Sequence, residues 1–198
     1  RVCFARVVSL DPGYVPGHEC LGLAALRVGD AAAALVACDD ALGLKPAEAR
    51  LLCRRAQAFE ALGRRERALR DYDNCLARDP TLANARVDFG RLLMLAGQPA
   101  RGAAQFRAAL YGDSDRAAAH ANWAEASLIL GDFAKAQRHA REALRLKPKL
   151  LEVRLTLGNA LVHQGRFSDA AVEYRRILKE KPSHLPARNN LRAIGGRL

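Results

Sequence analysis

Aromatic side chains are scarce in this chain: six Phe, four Tyr and one Trp among 198 residues. Long apolar runs are absent too. The longest, Ala31 to Cys38, has eight residues, far short of the roughly 18 that a membrane helix needs. Residues 1–10 hold too short an apolar stretch for a secretory signal. No CxxC pair and no Cys/His spacing of a zinc site occurs. The five cysteines (Cys3, Cys20, Cys38, Cys53, Cys75) are odd in number and confined to the first 75 residues. They read as reduced, mostly buried side chains in a reducing, cytoplasmic setting. The histidines (His18, His120, His139, His163, His184) form no HxxxH pair, and no phosphate loop or nucleophile elbow is present. No catalytic residue, metal or cofactor is therefore expected. What remains is 50% apolar and 27% charged, the composition of a folded, soluble, helical chain rather than a disordered one.

The decisive signal is a repeat. Proline recurs at Pro12, Pro46, Pro80, Pro148 and Pro182, at intervals of 34 residues or twice that, with Ser114 at the skipped position. Glycine keeps the same period at Gly29, Gly63, Gly97, Gly131 and Gly165. Small residues do so at Gly22, Ala56, Gly90, Ala124 and Gly158, and again at Ala34, Ala68, Gly102, Ala136 and Ala170. The first glycine series follows apolar helical stretches, where a left-handed residue ends a helix at little cost. The small residues let two antiparallel helices approach closely. Phe59, Leu93 and Leu161 on the first helix, and Tyr72, Phe106 and Tyr174 on the second, fill the space between. The prolines stop the second helix. Each unit is thus a helix A, a tight turn, a helix B and a second turn.

The unit resembles the tetratricopeptide repeat (TPR), whose pattern is W-x2-L-G-x2-Y, then G, A-x3-F-x2-A and P. The last full copy offers Arg154, Leu157, Gly158 and Leu161, then Gly165, Ala170, Tyr174, Ile177 and Pro182. The resemblance implies an all-α solenoid of antiparallel helix pairs, a right-handed superhelix of about twelve helices. Residues 1–14 match the second helix of a truncated repeat. Five repeats follow at 15–48, 49–82, 83–116, 117–150 and 151–184, and residues 185–198 form a C-terminal capping helix with Arg188, Asn189, Asn190 and Arg192 on its polar face. Beginning mid-repeat and without Met, the chain reads as a piece of something longer. The turn around Asp113, Ser114 and Asp115 lacks its proline, and Asp113 or Asp115 is expected to cap the next helix. The following repeat has Ser127 and Ala140 where larger residues usually sit.

The formal charge is +11 and uneven: net −2 over residues 1–48, +5 over 49–116 and +8 over 117–198. Much of the excess falls on B helices and the turns after them, where it solvates the surface and complements helix dipoles. No aromatic interleaving accompanies it, which speaks against single-stranded nucleic acid. The resemblance implies a concave groove lined by A helices at the second, fifth, sixth and ninth positions of each repeat. It assigns Arg50, Arg54 and Gln57, then Asn84, Asp88 and Arg91, then Asn122 and Glu125, then Asn159 to that groove, with Cys53 among them. Arg forks suit carboxylates, and an Asn amide both donates to and accepts from a peptide backbone. No three consecutive repeats reproduce the family's two-carboxylate clamp for chaperone C-termini. The expected function is non-enzymatic binding of an extended or helical segment of another protein, acidic segments included. A recruiting arm of a larger enzyme, such as a glycosyltransferase, and a self-assembly module stay open as alternatives.

Overall fold

The computed structural model describes residues 2–112 and 115–197. Among these there are twelve α-helices, one closing 3-10 turn and no strand. In chain order the helices are α1 (Val2–Leu10), α2 (Val15–Arg27), α3 (Ala31–Leu44), α4 (Ala49–Ala61), α5 (Arg65–Arg78), α6 (Ala83–Leu95), α7 (Pro99–Ala109), α8 (Arg116–Ile129), α9 (Phe133–Leu146), α10 (Leu151–His163), α11 (Phe167–Glu180) and α12 (Leu185–Ile194). The chain divides into two compact units, Arg1–Leu92 and Leu93–Leu198. Ser114 and Asp113, singled out above, lie outside the described residues.

The tight turns form as the periodic glycines require. Gly29, Gly63, Gly97, Gly131 and Gly165 all take φ between +70° and +80°, and no other described residue has a positive φ. Aspartates close the opposite ends of several helices. The Asp30 carboxylate accepts from the Ala33 N–H at 3.0 Å, and Asp132 from Lys135 N–H at 3.0 Å. Asp115 accepts from Ala117 and Ala118 at 3.1 and 3.2 Å. Each such cap is worth about 1 kcal/mol.

In the first unit, α2 packs on α3 and α4 on α5. Gly22 lets them touch: a Cβ there would lie 3.3 Å from Cys38 Sγ and 3.6 Å from the Ala34 carbonyl oxygen. Phe59 and Tyr72 are buried, and the Tyr72 ring stacks on Phe89 with centroids 5.7 Å apart. In the second unit, α8 packs on α9, α10 on α9 and α11, and α12 on α11. A continuous core joins Ala124, Ala140, Leu157, Leu161, Tyr174 and Ile177. Ser127 and Ala140 are buried despite their size.

The cysteine reading needs correction. Cys53 on α4 and Cys75 on α5 form a disulfide, with Cα atoms 5.5 Å apart, leaving Cys3, Cys20 and Cys38 as free thiols. The two residues are 22 apart in sequence. Only the antiparallel packing of the pair brings them together, so no local spacing announced the bond.

Candidate partner-binding surface

Helix α4 buries Leu51, Leu52, Cys53, Ala56, Ala58 and Phe59. That leaves Arg50, Arg54 and Gln57 on its other face, at the i, i+4, i+7 spacing that aligns side chains along one stripe. Cys53, expected among the groove residues, is instead buried at the α4–α5 interface by its disulfide.

Polar side chains then link α4 to α6. Arg54 Nη1 donates to Gln57 Oε1 at 3.2 Å, and Gln57 Nε2 donates to Asp88 Oδ2 at 2.9 Å. One turn further on, Arg91 Nη2 meets Glu60 Oε1 at 2.6 Å. Glu60 was not anticipated, although its register, three residues after Gln57, matches that of Arg91 after Asp88. Gln57, Glu60, Asp88 and Arg91 line a shallow cavity of about 350 Å³. Arg50 and Asn84 are exposed near the starts of their helices and join neither rung. Arg54 spends one donor on Gln57, and its fork has five.

In the second unit, Asn122 is half-buried and Glu125 exposed on α8. Asn159 on α10 is more firmly held. Its Oδ1 accepts from the Tyr174 hydroxyl and from Asn190 Nδ2, both at 2.8 Å. Its own amide N–H groups are left to donate elsewhere. Asn159, Val162, Tyr174, Asn190 and Ile194 line a cavity of about 280 Å³. Asn190, read from the sequence only as part of a polar face, thus joins the candidate set. Among the described residues no group of three His, Cys, Asp or Glu is placed to hold a metal ion. No helix there is long and apolar enough to cross a membrane.

Comparison with known proteins decides the family. Two family profiles, each described as tetratricopeptide repeat, match residues 127–194 and 49–82. The chain belongs to the TPR family. A stretch of 99 residues is 33% identical to DnaJ homolog subfamily C member 3 of Gallus gallus, covering 50% of this chain and 20% of that protein. The human counterpart is 32% identical over 97 residues, 49% of this chain and 19% of its own length. The matched stretch therefore spans only about a fifth of these relatives' length. Among solved structures, the TPR protein YrrB, described as having an unusual peptide-binding site, superposes with a TM-score of 0.81 at 13% identity, covering 94% of this chain and 96% of that one. MamA from Desulfovibrio magneticus RS-1 gives 0.77 at 19% identity, covering 86% and 96%. At these identities the likeness is one of fold. The TPR repeats matched by the family profiles support a protein-interaction scaffold, of a kind that is typically non-enzymatic.

Proposed function

We propose that the exposed face of α4 and α6 holds an extended segment of a partner protein, with Arg50, Arg54 and Arg91 receiving its acidic groups and Gln57, Asn84 and Asp88 its backbone. The observation that carries this reading is the pair of rungs, Gln57–Asp88 and Glu60–Arg91, which hold polar side chains in fixed positions between two helices. Side chains ordered before binding lose less entropy when a partner arrives. In the second unit Asn122, Glu125 and Asn159 offer a less basic surface, and Asn159 is the best ordered of the three. Binding of this kind involves no bond-making, so the chain acts as a scaffold.

The Cys53–Cys75 bond bears on compartment. Disulfides persist in oxidising surroundings, so it favours such a setting over the cytoplasm expected from the sequence.

An array of extended peptides with graded acidic content tests the binding reading. The wild-type chain should retain acidic members at moderate salt. Arg54→Ala with Arg91→Ala should weaken them at least about tenfold, the size of effect a desolvated Arg contact produces, with helical circular dichroism unchanged. Equal retention by both proteins would refute the assignment.

A further inference from the structure

One face of the α8–α9 pair departs from the arrangement that the α4–α5 and α10–α11 pairs share. In the first unit, Asp71 of α5 accepts from Arg55 Nε at 2.7 Å and Nη2 at 3.0 Å. In the second, Glu173 of α11 accepts from Arg154 Nη1 and Arg176 Nη1, both at 2.8 Å. One repeat before Arg154 and Glu173 stand His120 and His139. Both are buried, and their Nδ1 atoms are 3.0 Å apart, one donating to the other. The Trp123 ring lies on His139 with centroids 3.9 Å apart and fixes it. His139 Nε2 has no hydrogen-bond partner.

His139 thus stands where Asp71 and Glu173 do in their repeats, while His120 and Glu142 take the places of Arg154 and Arg176, and the cations near the histidines come from other positions. A cavity of about 680 Å³ between α8 and α9 is lined by His120, His139, Arg116, Arg138, Arg141 and the Glu142–Arg145 pair. Glu142, the single carboxylate on that lining, is spent on Arg145 by two bonds of 2.7 and 2.9 Å. Arg116 and Arg138 hold no ion pair with any described residue. Burial keeps both histidines neutral near pH 7, and the arginines reinforce this. The cavity wall therefore carries three guanidinium groups besides the Glu142–Arg145 pair. Guanidinium forks match phosphate geometry, and three of them suit a dianion with three acceptor oxygens better than a single carboxylate. The volume exceeds that of the anion alone and leaves space for what is attached to it.

We propose that the α8–α9 cleft is a binding site for a phosphate monoester, gripped by Arg116, Arg138 and Arg141 over the His120–His139 pair. It shares no residue with the α4–α6 face and stands independently of the function proposed there.

Trp123, the chain's single tryptophan, is a built-in reporter. The 198-residue chain is titrated at constant ionic strength with inorganic phosphate, glycerol phosphate, a short phosphoserine peptide and its unphosphorylated form, following Trp fluorescence and calorimetric heat. Saturable binding of the phosphorylated ligands, and none of the unphosphorylated peptide, is expected. Tighter binding of glycerol phosphate points to a small metabolite, and tighter binding of the phosphopeptide to a modified protein. Arg116→Gln with Arg138→Gln should weaken binding about tenfold or more, as loss of charge-assisted hydrogen bonds does, without lowering Tm. Arg175→Gln with Lys179→Gln, exposed on α11, should leave it unchanged. Absence of saturation in both readouts, or equal affinity in the Arg116/Arg138 variant, would overturn the proposal.

Discussion

Gly158 is where a single methyl group matters most. A Cβ there would fall 2.4 Å from Tyr174 Cε1 and 2.9 Å from Cζ. The ring is 1% exposed and tied by its hydroxyl to Asn159, so it cannot swing aside. Gly158→Ala should therefore cost about 1–3 kcal/mol, the usual range for overpacking, as a lowered urea midpoint. At Gly22 the tightest approach is 3.3 Å, to Cys38 Sγ, and alanine gains helix propensity, so the loss from Gly22→Ala should be clearly smaller. The reverse order would refute this account of the interface. Both glycines were legible in the sequence, because close helix packing at a fixed period leaves a visible series of small residues. The His120–His139 contact was not, since its partners are 19 residues apart on different helices. That contact has a pH signature. Burial lowers His139 from 6.5 to about 4, and His120 in the same direction. The unfolded chain then takes up protons that the folded chain refuses, so stability is complete above about pH 6.5 and falls between there and about pH 4. The loss should be of order 1–3 kcal/mol, and His120→Asn with His139→Asn should flatten the profile measured by chemical denaturation.

The helix pairs differ in what fastens them. α4 and α5 are joined by Cys53–Cys75 and by the Arg55–Asp71 fork, whereas α10 and α11 rely on Arg154–Glu173, each side chain only 12% exposed. Removing Arg154 takes one of the two cations that Glu173 accepts from and leaves Arg176 in place. Arg154→Ala should therefore destabilise by about 1.5–3 kcal/mol, the worth of a hydrogen bond to a charged group. The exposed Arg166–Asp169 pair should yield no more than about 1 kcal/mol when broken. Comparable losses in thermal unfolding would contradict the distinction. For α4–α5, opening the disulfide should cost about 2–4 kcal/mol. Thiol titration of the denatured chain should count three free thiols before reduction and five after. In the folded chain Cys3 is exposed, while burial, aided by Asp39, pushes the Cys38 thiol up to about 12. Alkylation should mark Cys3 first and Cys38 last. At this scale the sequence was generous with helices, turns and caps, because those depend on neighbours in the chain. It was silent on the disulfide, which depends on which faces of two helices meet.

For the molecule as a whole, the repeat made the TPR fold readable without a structure, since each 34-residue copy restates the same steric solution. The candidate surface was readable only as a set of positions. The structure orders Arg54, Gln57, Asp88 and Arg91 through side-chain bonds on α4 and α6 and holds Asn159 by two acceptor contacts. It leaves Arg50 and Asn84 outside these rungs. Which positions become ordered depends on neighbours such as Glu60 and Asn190, whose roles no motif marks. The competing explanation for any acidic ligand is the net charge of +11 itself, with local clusters of cations at the start of α5 and along α11. Chemical-shift mapping of the isotope-labelled chain with an acidic peptide retained on the array separates the two most directly. The account predicts shifts centred on Arg54, Gln57, Asp88 and Arg91 that persist at moderate salt. Shifts spread over Arg64, Arg65, Arg67 and Arg70 of the α5 region and Arg175, Arg176 and Lys179 of α11, fading as salt rises, would contradict it.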